Sequence, residues 1–432
     1  MAAGRQESKT QLMDVDAVIA EVAAAVGLAE GQSGVRDILS AIRRAEPVAV
    51  REISRIAELP VPIVAAVCNE LRKRDIVDHT RPVRLTDSGR QALGGAGPPE
   101  LSARCPRCHG HGLVIPAELA GLAAQLEHAA GGAPEAKREL DQTHCTVATK
   151  IYRVLRMHEA GALAGKRILL LGDDDLVSVA IAQFTLGTGL AGAPRKITVV
   201  DTDPDVLAWA GRQATGTPVP VELVEHDLRQ PLPASLVGSF DVACSDPPYT
   251  VAGAELFLSR AVTALDPEPG QHVFFSFGSR RPADTLRTQE IIAELGLAIR
   301  SLWPGFNEYA GAGILAGTSN LYHLRSTAAS RPLISGAHTG PLYTADQRAA
   351  ASRPYRCATC KAIHQVGPAG LAGAAGAGSR WQQIADLQAS GCPECGGTVF
   401  RPMPLNPRPE QRPGPAGQAG SAAQPRAAVA PR

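Results

Sequence analysis

The residues best suited to chemistry are acids that close apolar runs. Gly172 is followed by Asp173, Asp174 and Asp175 in "ILLLGDDDLVSVAIA". "KITVVD" ends at Asp201, with Asp203 two residues on, and "VELVEHD" ends at Asp227. "FDVACSDPP" ends in Asp246-Pro247-Pro248, and Tyr249 follows. A first turn that binds a phosphate or an amino-acid carboxylate presents glycines and bare N–H groups. Three carboxylates in that place repel either anion. Helix capping, which contributes about 0.5–2 kcal/mol per cap, accounts for one or two of them. A rigid Pro-Pro strand exit accounts for the prolines after Asp246, but not for the acid before them.

The pattern of elements must bring these acids together. Short apolar runs alternate with helical stretches from 166 to 326, which predicts a mostly parallel, doubly wound sheet. Strands are expected at 167–172, 196–201, 221–227, 240–248, 272–278, 297–306 and 320–326. The last two leave no room for a crossover helix and should form an antiparallel hairpin at the sheet edge. Ligands of such sheets bind outside the carboxyl ends of the strands, where the acids lie.

A cationic ligand suits them. Asp201 and Asp203 can accept from ribose hydroxyls, and Asp227 can contact adenine. S-adenosylmethionine without its carboxylate carries a purely cationic aminopropyl arm. Two unit charges 4 Å apart interact by about 4 kcal/mol at an effective dielectric near 20. An Asp-rich turn therefore selects decarboxylated S-adenosylmethionine as co-substrate, and the matching acceptor is a polyamine. The reaction is displacement at the carbon beside the sulfonium by an amine nitrogen. That amine must first lose a proton, and a carboxylate can take it; positioning and charge supply the rest.

"GDDDLVSVA", "VVDTD", "SDPPYTVAGAELFLSRA", "DQTHCTVATKIYR" and "CPRCHGHG" resemble the branched-chain polyamine synthases, the N(4)-bis(aminopropyl)spermidine synthase family, over about residues 35–330. The resemblance implies transfer of aminopropyl groups from decarboxylated S-adenosylmethionine to the secondary amine of spermidine. It implies Asp175 as the key catalytic carboxylate, Asp174 second, and Asp246 against the reacting amine. Gly172, Asp173, Asp201, Asp203, Asp227 and Gln142 are expected on the donor side, and Pro247 and Tyr249 on the acceptor side. Tyr249 stands where many members of the family carry an acid, which weakens the negative field beside Asp246.

Two other functions compete. Asp-Pro-Pro-Tyr is also the mark of amino methyltransferases that act on nucleic acid, with the Tyr stacked on a flipped base. A winged-helix regulator that senses polyamine or nucleoside is the other. The missing glycine-rich turn, a net charge of +1 and an aromatic content of 4% argue against nucleic acid.

The whole chain of 432 residues reads as α/β: a winged-helix domain, a Rossmann-like seven-stranded sheet of the S-adenosylmethionine-transferase type, and a small Cys-rich, zinc-ribbon-like segment. The expected divisions are a tail at 1–33, the winged helix at 34–98, a Cys-x-x-Cys connector at 99–150 and the catalytic domain at 151–330. The zinc-ribbon-like region follows at 331–405, then a disordered Pro/Ala/Gly/Arg tail at 406–432. Arg72, Lys73 and Arg74 cluster at one end of the would-be recognition helix, which favours a docking or oligomerisation module over a DNA reader; a homodimer is expected. Cys357, Cys360, Cys392 and Cys395 have the types for a structural four-thiolate zinc site, although 31 residues between pairs exceeds the usual spacing. Cys105 and Cys108 lack an obvious second pair; His109, His111, His144 or Cys145 would have to complete a site there. Cys68 and Cys244 read as buried apolar residues. No apolar run approaches the ~20 residues that span a bilayer, the first residues lack the apolar middle of a signal peptide, and a cytoplasmic location is expected.

Overall fold

The computed structural model describes residues 14–94, 105, 108, 111–189, 193–278, 281–310, 317–344, 346, 353–366 and 384–403. The chain divides into two compact units, residues 1–351 and 352–432. The region expected as a tail at 406–432 lies outside the described residues.

The first unit begins with helices α1 (Val15–Val26), α2 (Gly31–Ala45), α3 (Val50–Ala57), α4 (Val61–Lys73) and α5 (Asp87–Ala92). Helix α1 corrects the reading of 1–33 as a tail. Its sequence is rich in alanine, which has high helix propensity. Asp14 caps it through the N–H groups of Asp16 and Ala17, and left-handed Gly27 closes it. Ile19 and Val22 of α1 share a core with Ile38 and Ile42 of α2, Ile53 of α3, and Val64 and Leu71 of α4. Paired residues Val48–Val83 and Val77–Leu85 add a minimal ribbon. The Glu46 carboxylate accepts from Leu85 N–H and from Arg90, tying α2 to α5.

The central sheet has seven strands in the order β3-β2-β1-β4-β5-β7-β6. They are β1 (Arg167–Leu171), β2 (Lys196–Asp201), β3 (Val221–Glu225), β4 (Val242–Ser245), β5 (His272–Phe277), β6 (Leu297–Glu308) and β7 (Thr318–Ser326). Strands β1 to β5 are parallel, β7 runs antiparallel to β5, and β6 pairs with β7 at the edge. The expected hairpin is thus present. Side chains alternate across the sheet: Ile168 and Leu170 enter one core cluster, Leu169 and Leu171 the other. Helices α6 (Ala120–Ala130), α7 (Val147–Glu159), α8 (Val177–Thr188) and α9 (Pro204–Ala214) contribute to the first cluster, and α10 (Val251–Ala264) and α11 (Pro282–Glu294) to the second. Covering both faces makes the strands near-continuous apolar runs. Among the described residues, no single helix is long and apolar enough to cross a membrane.

The second unit holds a three-stranded sheet, β10-β8-β9, from β8 (Arg353–Cys357), β9 (Ile363–Val366) and β10 (Phe400–Pro402). A short helix spans Ile384–Ser390. Leu387, Val366 and Phe400 pack around Cys357 and Cys392.

Candidate active site

Strand β1 delivers the acidic turn. Gly172 follows it with φ +74°, a left-handed conformation that favours glycine. Asp173 comes next and is buried. Its carboxylate accepts from the N–H groups of Val177 (2.7 Å) and Ser178 (3.3 Å to one oxygen) and from the Ser178 hydroxyl. These are the free donors at the start of α8, so Asp173 serves as that helix's cap. It also borders the cleft, on whose donor side it was expected. Burial pushes its carboxyl up to about 7, against the opposing effect of these hydrogen bonds.

Asp174 and Asp175 lie side by side in different surroundings. The Asp175 carboxylate accepts from Cys145 N–H (2.5 Å) and from Arg153 (2.8 Å). Lys150 donates to the main-chain carbonyl of Asp175. Burial alone would raise the Asp175 carboxyl; the Arg153 and Lys150 charges outweigh it and hold the group below its ordinary range. The Asp174 carboxylate accepts from Thr143 N–H at 3.0 Å. Burial raises its carboxyl well above the ordinary range, and the neighbouring charges of Asp175, Asp246 and Asp201 raise it further.

Strand β4 delivers Asp246. One of its oxygens accepts from the Tyr249 hydroxyl (2.9 Å), the other from Arg153 (2.8 Å) and the Tyr309 hydroxyl (2.5 Å). Burial raises the Asp246 carboxyl to about 6; Asp175 adds to the rise, while Arg153 and Tyr309 oppose it. Arg153, on α7, is therefore the hinge of the site. It is 7% exposed and bridges Asp175 to Asp246, while its Nε donates to Asn307 Oδ1 at 2.7 Å. Asn307 is itself fixed by donating to Ser276 and Ser319. A cleft opens here, bounded by Arg153, Gly172, Asp173, Asp174, Asp175 and Asp246 among others.

The remaining expected residues lie around this cleft. Asp201 accepts from the N–H groups of Asp173 (2.9 Å) and Asp203 (2.8 Å), so β2 braces the turn after β1. Burial raises its carboxyl. Asp203 and Gln142 face each other at 3.0 Å; Asp203 also takes Lys137 at 2.6 Å and caps α9. The pair ties the 137–142 segment to the start of α9. Asp227 is ion-paired with Arg229 at 2.8 Å. Pro247 is buried. Tyr249 turns its hydroxyl to Asp246 and to Tyr309 (2.7 Å), and its ring packs edge-on against Phe277. It is not presented for stacking on an extruded base, the role that the methyltransferase alternative gives it.

Arg153, Lys150, Tyr309 and Asn307 are the functional neighbours that sequence reasoning missed. A signal existed. In α7, Val147, Ile151, Val154 and Met157 form the buried face, and Lys150 and Arg153 fall on it. Two cations on the apolar face of a helix require buried anions.

The four thiols Cys357, Cys360, Cys392 and Cys395 converge, with all sulfurs within 4.8 Å of one another. Cys357–Cys395 and Cys360–Cys392 are 3.6 and 3.5 Å apart. A tetrahedral ion with metal–sulfur bonds near 2.3 Å would separate its sulfurs by about 3.8 Å, so the cluster could hold a metal. His364 Nε2 lies 3.2 Å from Cys392 Sγ. Cys105 and Cys108 join no such group among the described residues; His109 lies outside those residues, and His111 has its ring nitrogens at the carbonyls of Cys108 and Phe306. His144 spans the carbonyls of Asp174 and Pro134, and Cys145 is buried beside Asp175. Cys68 and Cys244 are buried, as expected.

The strand order and the acidic cleft at the ends of β1 and β4 define a Rossmann-like transferase built for a cationic reactant. Comparison with known proteins narrows this. The sequence model of the branched-chain polyamine synthase A C-terminal domain matches residues 121–328. An uncharacterized protein of Methanocaldococcus jannaschii is 33% identical over 384 residues, covering 88% of this chain and 91% of the relative. The N(4)-bis(aminopropyl)spermidine synthase of Thermococcus kodakarensis is 31% identical over 291 residues, 66% of this chain and 80% of that enzyme. The crystal structure of the Thermus thermophilus branched-chain polyamine synthase, in complex with N4-aminopropylspermidine and 5′-methylthioadenosine, superposes with a TM-score of 0.63 at 25% identity, covering 77% of this chain and 98% of that one. The chain belongs to the branched-chain polyamine synthase family and is an aminopropyltransferase.

Proposed function

We propose that the chain transfers aminopropyl groups from decarboxylated S-adenosylmethionine to the secondary amine of spermidine or a similar polyamine, making branched polyamines. The observation that carries this is the trio Asp174, Asp175 and Asp246, one buried and two half-buried acids in one cleft with one guanidinium between two of them. Such a site favours cations, and both reactants are cations.

The reaction forms a bond between the acceptor nitrogen and the propyl carbon beside the sulfonium. The carbon–sulfur bond breaks, its electron pair stays on sulfur, and neutral 5′-methylthioadenosine leaves. No acid is needed for that departure. The acceptor amine must shed a proton, and we assign its receipt to Asp174, placing it ahead of Asp175. What supports this order is the hydrogen-bonding. Asp175 is held by Cys145 N–H and Arg153, and Asp246 by Arg153 and two tyrosines, whereas the Asp174 carboxylate has Thr143 N–H. The raised carboxyl of Asp174 is ionised by the arriving sulfonium and ammonium charges, which places a strong base beside the amine. Asp175 and Asp246 stay as fixed charges that orient the cations. Asp201 and Asp227 are assigned to the ribose and adenine side, and Pro247 and Tyr249 to the acceptor side.

In the second unit the thiol cluster is assigned one structural zinc, since a closed four-thiolate set leaves no open position for catalysis. Helices α2 to α5 with their ribbon are read as a winged helix used for docking, in a homodimer, and the cytoplasm, where thiol pairs stay reduced, suits the cysteines. The direct test is Asp174→Asn, assayed with spermidine and decarboxylated donor by mass spectrometry. Loss of transfer by about 10²–10⁴-fold, with 5′-methylthioadenosine binding retained, supports the assignment. Transfer at the wild-type rate overturns it.

A further inference from the structure

The stretch after β7 is not loose chain. Residues 331–344 run as a strap across the corner where β2 and β3 end, beyond the span matched by the family's sequence model, which stops at 328. Arg260, fully buried on α10, binds one end. It donates to the carbonyls of Ile334 (3.0 Å) and Gly336 (2.7 Å) on the strap and to that of Leu228 (3.0 Å) on the loop after Asp227. His338 N–H then donates to the Arg229 carbonyl at 2.7 Å. Farther on, Thr250 donates to the Leu342 carbonyl at 2.8 Å, and Thr344 N–H reaches the Asp141 carboxylate at 2.7 Å.

These anchors stand on opposite banks. Arg229 pairs with Asp227. Asp141 adjoins Gln142, which holds Asp203, and Thr143, which holds Asp174. Thr250 follows the Asp-Pro-Pro-Tyr exit of β4. A segment fastened to all three spans the space outside the carboxyl ends of β2 and β3. Leu342 is its fully buried foot, in the same cluster as Val200 and Leu228, and Tyr343 packs half-buried on that cluster. Tyr343 is close enough to Asp227 and Asp201 for their charges to act on its hydroxyl. At the same corner, His226 Nε2 on the β3 exit and His338 Nε2 on the strap are buried with no hydrogen-bond partner, which leaves polar valences for a ligand.

We propose that the strap roofs the nucleoside part of the donor site and that Tyr343 is a binding residue whose ring packs on the purine nucleoside. This rests on the aminopropyltransferase reading, because that reading supplies the nucleoside. The strap holds the donor's adenosyl half and leaves the acidic cleft to the acceptor, so its loss should weaken nucleoside binding without touching polyamine affinity.

The test is calorimetric titration of 5′-methylthioadenosine into the full chain, with spermidine KM measured in parallel. Aromatic stacking on a base typically changes affinity by about ten- to a hundredfold. Tyr343→Ala should weaken nucleoside binding by that factor, Tyr343→Phe should bind as the wild type does, and both should keep the spermidine KM. Tyr343→Leu, which preserves the apolar packing, should weaken binding as Ala does. Asp141→Asn, which loosens the latch on Thr344, should weaken nucleoside binding in the same direction. Wild-type affinity in Tyr343→Ala or Tyr343→Leu, or a raised spermidine KM with unchanged nucleoside affinity, overturns the strap's role alone. Failure of the wild type itself to bind 5′-methylthioadenosine overturns the activity reading and this one together.

Discussion

Replacing Arg153 by Met removes the one guanidinium that Asp175 and Asp246 share. Each acid bonds it at 2.8 Å, and the two carboxylates stand within hydrogen-bonding reach of each other. Two like charges about 4 Å apart at an effective dielectric near 20 repel by ~4 kcal/mol, roughly three pKa units. Without Arg153 the pair should therefore share a proton, and the Asp246 carboxyl, already at about 6, should rise past neutrality. A carboxyl whose folded pKa is raised binds protons better when folded than when unfolded. Its contribution to stability then falls as pH rises from the unfolded value near 4 through the raised value. Breaking a buried ion pair costs about 3–5 kcal/mol, and that full cost should appear only at alkaline pH. Urea unfolding of Arg153→Met and wild type at pH 5 and pH 8.5 measures it. A deficit of several kcal/mol at pH 8.5 that shrinks at pH 5 is expected, together with an alkaline shift of the acidic limb of kcat/KM. An equal deficit at both pH values would refute the reasoning, because it would mean that Arg153 stabilises by packing rather than by holding two acids ionised.

Other consequences follow from the same geometry. Asp174→Asn should lose activity yet gain stability above neutral pH, since a carboxyl with a raised pKa costs stability once it must ionise; denaturant midpoints at pH 6 and pH 8.5 check this. Asp173→Ala should destabilise by about 1–3 kcal/mol, because it leaves the buried donors at the start of α8 unsatisfied, read as a lower denaturant midpoint. His272 and His323 stack in the sheet with ring nitrogens 3.0 Å apart, and burial, with the Arg325 charge, lowers them to about 3 and about 4. Their neutral forms stabilise the fold above the unfolded pKa near 6.5, and that stability is lost as pH falls from there toward 4; His323→Phe should flatten acid unfolding across that window. Metal analysis should find one zinc per chain, and Cys392→Ser should abolish it and loosen residues 353–403 to proteolysis while leaving aminopropyl transfer largely intact.

Much of the catalytic fold could be read from sequence because its strands are apolar on both faces and separated by helical spacing. The run from Leu321 back to Leu297 left no space for a crossover, and an antiparallel β6–β7 pair resulted. The acids were legible as strand ends, and the thiol cluster as paired spacings. The division of labour among the acids was not. Asp173 differs from Asp174 only in which way the chain turns after Gly172, and that turn exposes the start of α8 to one carboxylate alone. Arg153 reaches Asp246 across 93 residues, a distance that no local pattern encodes, although its place on the apolar face of α7 marked it. Asn307 lies near the end of the long edge strand β6 and Tyr309 just past it, bridged to Cys145, so both reach the cleft from a distant part of the chain. Helix α1 was missed because alanine gives little periodic contrast, so its packing on α2 and α4 is a tertiary fact.

The central claim is that this acidic cleft uses a donor without a carboxylate. The measurement that tests it most directly offers the purified chain spermidine with either decarboxylated or ordinary S-adenosylmethionine and weighs the polyamines by mass spectrometry. Spermidine carrying one and then two added aminopropyl groups, from the decarboxylated donor alone, is the predicted result. A methylated product from the ordinary donor, or an untouched polyamine with both, would contradict the account.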